Sequence, residues 1–207
     1  MQRTTLNSLF HATVVLLLLL LPHRSVAVTI DFDTLADLEV VTNQYPDVLF
    51  SNATVLTAGI SLNEFEFPPK SDSNVVFDDG SPMTLSFLTS VLGVSGFFTY
   101  SSPLTLSAFD PSANLLASIS SAFSNNTALS GEGGSSPNEP LGFSGLGLIG
   151  SLTITGDAGG FSFVADDITL TPATTPVPEP STVVLLGTGL IAFIGRRFLQ
   201  RRSEVHS

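Results

Sequence analysis

Apolar and polar residues alternate through most of the chain. Val28, Ile30 and Phe32 are separated by Thr29 and Asp31, and Met83, Leu85 and Phe87 by Thr84 and Ser86. Leu104 and Leu106, Leu152 and Ile154, and Phe161 and Phe163 repeat the pattern with a serine or threonine between them. A period of two marks a strand with one face on a core, whereas a helix repeats its apolar positions at longer intervals. Turn chemistry punctuates the alternation at Pro68 and Pro69, Asp79 and Gly80, Gly93 and Gly96, Asp110 and Pro111, and in the glycine-rich run 156–160. Asp78 and Asp79 before Gly80 read as part of one such turn. Short strands with frequent turns predict an all-β fold, an antiparallel β-sandwich over residues 28–171. Thr29, Thr84, Ser86, Thr105, Ser107, Thr153 and Thr155 occupy alternate positions, which predicts strands with one solvated face.

Two stretches change phase. Between residues 60 and 67 the apolar positions are Ile60 and Leu62, then Phe65 and Phe67; between 161 and 170 they are Phe161, Phe163 and Ala165, then Ile168 and Leu170. A slip of one residue sends every later side chain to the opposite face, so each stretch predicts a β-bulge or a crossing between sheets, the second at Asp166 and Asp167. Residues 130–151 are dominated by glycine, serine and proline and read as a long loop, either a plain surface connection or a binding loop at one end of the sandwich.

The ends of the chain follow other rules. Arg3 precedes an uncharged run, residues 12–21, with six consecutive leucines; Pro22 breaks it, and small residues lead to a cleavage point between Ala27 and Val28. Residues 1–27 therefore read as a removable signal peptide, too short in its apolar part to span a bilayer. Near the other end, residues 172–182 form a proline- and threonine-rich spacer. Residues 183–202 give a single hydrophobic helix, a transmembrane segment stopped by Arg196, Arg197, Arg201 and Arg202, which the positive-inside tendency keeps in the cytoplasm.

Val177, Pro178, Glu179, Pro180 and Ser181 stand immediately before that helix. The order of proline–glutamate–proline motif, short glycine-containing helix and arginine cluster resembles a PEP-CTERM sorting signal. The resemblance implies export, a transient inner-membrane anchor, and processing near Pro178, Glu179 and Pro180 by an exosortase, a membrane-embedded protease-transpeptidase of Gram-negative bacteria that make extracellular polysaccharide. It also implies a final place at the cell surface or outside the cell. Two prolines hold the backbone extended and free of internal hydrogen bonds, the form a protease reads. Ile30 to Leu35 (IDFDTL) and Phe163 to Leu170 (FVADDITL) more loosely resemble galactose-binding-like jelly rolls, in which the first and last strands lie together.

Charge and side-chain inventory then narrow the chemistry. The net charge is −11, but six of the seven basic residues lie in the end segments. One lysine, Lys70, against sixteen carboxylates leaves residues 28–171 at about −15, a field that repels nucleic acid and anionic lipid. There is no cysteine, and the three histidines, His11, His23 and His206, all lie outside the predicted domain. A Ser-His-Asp triad and a histidine or thiolate metal site are thereby excluded from it. The chain reads as non-enzymatic and in need of no cofactor, a surface or matrix protein whose partner outside the cell is extracellular polysaccharide. A carbohydrate-binding module is one alternative, weakened by the absence of tryptophan; a glycosidase or lyase built on paired carboxylates is another. Asp31 and Asp33 alternate with Ile30 and Phe32, and if the first and last strands pair, Asp166 and Asp167 reach the same place. Four carboxylates with backbone carbonyls suit Ca²⁺; solvated acids on an outer face are the other reading.

Overall fold

The computed structural model describes residues 26–173, and among them there is no helix. Almost all of the expected signal peptide, the sorting motif Val177, Pro178, Glu179, Pro180 and Ser181, and the hydrophobic segment with Arg196, Arg197, Arg201 and Arg202 lie outside the described residues.

Nine strands follow in order: β1 (Val28–Ile30), β2 (Val48–Ser51), β3 (Ala53–Thr57), β4 (Asn74–Asp78), β5 (Met83–Tyr100), β6 (Thr105–Phe109), β7 (Leu115–Ser120), β8 (Glu139–Thr155) and β9 (Phe163–Pro172). All pairings between them are antiparallel, and the fold is an all-β antiparallel sandwich. Its two halves share the long strands β5 and β8. Met83–Ser86 pairs with β2 on one side and with residues 151–154 of β8 on the other; β6 and β7 continue that half. Residues 93–98 of β5 pair with residues 139–144 of β8 and with β9, which carries β1 and β4, with β3 beyond β4.

Between the halves both long strands lose register, β5 between Ser86 and Val91 and β8 between Ser144 and Ile149. Gly145 and Gly147 take φ of 73° and 92° there, backbone that glycine adopts without a Cβ penalty. A bulged strand bends, and two adjacent bent strands turn one hydrogen-bonded ladder into two layers. The residues that alternate inward meet in one core: Met83, Leu85, Leu106, Leu152 and Ile154 from one half, Ile30, Phe98, Phe163, Ala165 and Ile168 from the other. Each of these side chains larger than alanine contributes about 1.5–3 kcal/mol when taken out of water. A small second cluster, Leu62, Val75 and Val164 with Phe67 and Phe77, lies apart from this core.

Several expectations are corrected. Residues 139–151, read as loop, are the first three-quarters of β8; their glycines serve close approach and bending. Residues 60–67, read as a bulged strand, are turns and bends, with Ile60 and Phe65 about three-quarters exposed. Gly93 and Gly96, read as a turn, lie inside β5, where a Cβ on Gly96 would stand 2.5 Å from Ile168 Cδ1. Phe161 is exposed and precedes β9. The phase change at Asp166 and Asp167 is a bulge: Ser95 pairs with Thr169 and Phe97 with Asp166, leaving β9 one residue in excess, and Asp167 takes φ 48°.

A Cβ on Gly142 would lie 2.5 Å from Val94 O and from Ser95 Cβ, on backbone that has little room to give. Gly142→Ala is expected to cost about 1–3 kcal/mol, several degrees of Tm. Gly133→Ala, with open space around the same atom, is expected to leave Tm unchanged; thermal unfolding of the two variants beside the parent chain checks both.

Candidate functional site

The aspartates expected to gather a cation are placed first by the backbone. β1 stops at Ile30, and Phe32 takes φ 65° with its ring in the core, so Asp31 and Asp33 lie in the turn after the strand and not on one face of it. β1 does pair with β9, through Ile30↔Ile168, which brings Asp31 next to the bulge at Asp166 and Asp167.

The oxygens are then largely taken by amides. Asp33 Oδ1 accepts from the N–H groups of Ser73 (3.1 Å) and Asn74 (3.0 Å). Asp166, fully buried, accepts from Lys70 N–H (2.7 Å) and Ser71 N–H (3.0 Å) on Oδ2 and from Asp167 N–H (2.7 Å) on Oδ1. Asp167 accepts from the Ser71 hydroxyl at 3.0 Å. Three carboxylates, one from the turn after β1 and two from the bulge of β9, thus hold the same segment, residues 70–74, as it enters β4. Burial pushes the Asp166 carboxyl up to about 6, against the pull of the three amides, which favour the charged form. Among the described residues, two side-chain oxygens are shut off from solvent without a hydrogen-bond partner, Asp33 Oδ2 and the Tyr45 hydroxyl. Burial raises the Tyr45 phenol, and the charges of Asp31 and Asp33 add to the rise. Among the described residues no group of three or more His, Cys, Asp or Glu is arranged to hold a metal ion.

Asp78, expected in a turn, is the last residue of β4 and wholly buried. Its carboxylate accepts from Ser162 N–H (2.8 Å), Phe163 N–H (3.0 Å) and the Ser162 hydroxyl (3.0 Å), closing the start of β9 onto β4. Burial raises its pKa and those bonds lower it. Nothing in the local sequence separates Asp78 from Asp79, which is exposed and whose carboxylate accepts from the Thr54 hydroxyl at 2.9 Å. Glu139 plays a similar part at the head of β8, accepting from the Tyr100 hydroxyl and from Ala122 N–H at 3.0 Å. Burial, then the bond to Glu139, pushes the Tyr100 phenol up to about 12.

The open concavity lies elsewhere. A trough of about 290 Å³ runs over β5, β8 and β9, with Ser95, Ser144, Thr169 and Thr171 presenting hydroxyls around Gly93 and Gly142. Ser95 pairs with Gly142 and Thr169, and Gly93 with Ser144 and Thr171, so the trough exists because glycines stand where neighbours carry side chains. Its floor is sheet backbone. One register step away, Phe97 carries the Lys70 ammonium 4.4 Å from its ring centroid, a cation–π contact. The trough lining offers hydroxyls, carbonyls and no ionisable side chain; it can hydrogen-bond a neutral polar ligand and supplies no general acid or base. Nothing in the local sequence singles out Ser95 or Thr169; their gathering around glycines depends on the pairing.

Comparison with known proteins gives one family match and a set of distant structural likenesses. Residues 176–202 match the PEP-CTERM protein-sorting motif. The chain therefore carries that motif, which belongs to exported proteins destined for the cell surface or beyond. No curated protein matches the chain. Among solved structures, the K2 cleaved adhesin domain of Lys-gingipain is similar at 13% identity and TM-score 0.43, over 70% of this chain and 99% of that one. A DUF4465 family protein from Bacteroides caccae is similar at 13% identity and TM-score 0.41, over 74% and 96%. TmCBM61, solved with β-1,4-galactotriose, is similar at 14% identity and TM-score 0.38, over 69% and 94%.

Asp166 generates a pH signature. Its folded pKa, about 6, lies above the ordinary carboxylate value of 3.8, so the folded state binds the proton more tightly and this group's contribution to stability falls as pH rises through that window. The expected result is that the Tm of the parent chain, measured relative to Asp166→Asn, drops between pH 4 and pH 6 and is level above pH 7. A difference that is flat over the whole range would mean that burial does not raise this carboxyl.

Proposed function

We propose that this chain is an exosortase substrate whose β-sandwich works outside the cell as a non-enzymatic module associated with extracellular polysaccharide. The observation that carries the reading is the tail: the sorting motif over residues 176–202 contains Val177, Pro178, Glu179, Pro180 and Ser181 and is followed by Arg196, Arg197, Arg201 and Arg202 in the order an exosortase substrate needs. The hydrophobic segment anchors the chain transiently in the inner membrane, the arginines stop it there, and cutting near Pro178, Glu179 and Pro180 frees or transfers the domain. At the other end, removal of residues 1–27 leaves Val28 as the first residue, one that already pairs with Leu170.

Two features of the domain support a neutral polymer as the partner. With sixteen carboxylates against Lys70 it repels polyanions, and uncharged hydroxyl side chains recur at the half-buried alternate positions of its strands, Thr84, Ser107 and Thr153 among them. A glycosidase needs two carboxylates facing each other across the sugar; the trough offers none, and the buried carboxylates Asp78 and Asp166, each at a different end of β4, are taken up by backbone amides. Carbohydrate binding, which needs no such pair, fits the domain better than hydrolysis does.

Calcium is a second reading, favoured by the unpartnered Asp33 Oδ2 beside the Asp31 side of the β1–β9 pair. In it, Asp31 and Asp33 with backbone carbonyls carry the ion, and Asp166 and Asp167 act from behind by holding residues 70 and 71 in place.

In a host with an exosortase, the parent chain is expected to leave the membrane fraction, and a Glu179→Ala, Pro180→Ala chain to remain there as precursor on an immunoblot; equal release of both would sink the exosortase reading. For calcium, the Tm of the parent chain is expected to be higher in the metal than in chelator, by an amount set by mass action, about 2.7 kcal/mol at a hundredfold excess over Kd. Asp31→Asn and Asp33→Asn should lose that rise; identical melts of the parent chain in both buffers would dispose of the ion.

A further inference from the structure

The outer face of the other half of the sandwich carries a feature that no single strand shows. Cα partners run Ser51↔Thr84, Thr84↔Thr153, Thr153↔Ser107 and Ser107↔Ser118. One hydroxyl-bearing residue from each of β2, β5, β8, β6 and β7 therefore stands in line across the half. All five are exposed or half-buried, while their strand neighbours Leu85, Leu106, Leu152 and Ile154 are buried, so the row faces outward. Ser86 and Ser151 flank it on one side, with Phe109 next in the same line; Thr155 and Thr105 flank it on the other. None of these positions is charged, in a domain where sixteen residues carry negative charge.

We propose that this row is a docking surface for a single chain of neutral polysaccharide lying across the strands. The inference rests on the polysaccharide reading above and assigns it to a face other than the trough. Neighbouring strands are about 4.8 Å apart, so hydroxyls recur along the row at that step, a pitch comparable to one sugar residue of an extended chain. Ser51, Thr84 and Thr153 have no side-chain hydrogen-bond partner among the described residues, while the Ser107 and Ser118 hydroxyls bond to each other and Ser118 donates to the Leu106 carbonyl; the first three are free to donate to and accept from a polyhydroxylated chain. Short hydroxyl side chains also lose little rotamer freedom on binding. Phe109, half-exposed at the side of the row, offers an aromatic face for the C–H side of a sugar ring. The absence of charge selects the partner: a polyanion gains no cation here and is repelled by the rest of the domain, and a polycation would seat on the carboxylates and not on this face. Sheet twist bends the row along its length, which a flexible single chain can follow and a rigid flat lattice cannot.

The test is native affinity electrophoresis of the full chain, in a polyoxyethylene detergent, through gels containing hydroxyethylcellulose, with alginate gels as the charged comparison. The parent is expected to be retarded by the neutral polymer, with little change on adding salt, and not by alginate. A Thr84→Val, Thr153→Val chain keeps side-chain shape and strand preference and is expected to need about tenfold more polymer for the same retardation. A Ser95→Val, Thr171→Val chain, altered only in the trough, is expected to behave as the parent. Retardation lost in the trough variant and retained in the row variant would overturn the row while leaving the polysaccharide reading in place. A parent chain that no neutral polymer retards would remove both.

Discussion

The sandwich depends on two strands that belong to both of its layers. β5 and β8 stay paired from Met83↔Ile154 at one end to Phe98↔Glu139 at the other, and between those ends each gives up register. Because the ladder is continuous, neither half can form without placing the other, and the core that fills the fold draws on both halves at once. The bend needs residues that tolerate positive φ and close backbone contact, which is why Gly145, Gly147 and Gly142 fall in β8 and not in a connection. A glycine-rich composition that argues for loop in isolation is here the means by which one strand serves two sheets.

Carboxylates do structural work at the edges of this frame. Asp33 and Asp166 hold residues 70–74 where the chain enters β4, and Asp78 holds the start of β9 at the other end of the same strand. In each case an acid is withdrawn from water and repaid by N–H groups that would otherwise lack a partner near a bulge or a strand end. The acidity of the domain therefore has two components: a few buried acceptors that close loops onto sheets, and a larger exposed set that keeps the surface negative. Neither outer face described here, the trough of Ser95, Ser144, Thr169 and Thr171 or the row from Ser51 to Ser118, has a carboxylate among the residues that form it. Uncharged hydroxyl surfaces on a strongly anionic body offer a polyanion no cation to pair with.

How far the residues alone led can be followed strand by strand. Met83, Leu85 and Phe87, Leu104 and Leu106, and Leu152 and Ile154 read as inward positions and are buried, because period-two alternation is local and survives any tertiary arrangement. The bulge at Asp166 and Asp167 was legible for the same reason, as a change of phase within one strand. Residues 60–67 show an identical signal with a different outcome: Leu62 and Phe67 pack on Val75 and Val164 from a turn, so the same apolar spacing arises without a strand. Phase alone does not distinguish a bulged strand from a loop that dips twice into a surface cluster.

The sequence by itself determined the class of fold, the solvated hydroxyl face of the strands, the sorting tail and the exclusion of histidine and cysteine chemistry, since each is written in local pattern or in the presence or absence of a residue type. Only the tertiary structure decided that Asp78 is buried while Asp79 is not, that Asp33 and Asp166 close on one segment, that glycines open a trough between Ser95 and Thr171, and that five separate hydroxyls fall into one line. Those facts depend on which strands become neighbours and in what register, and register is set by core packing over the whole chain, at separations that no local pattern encodes.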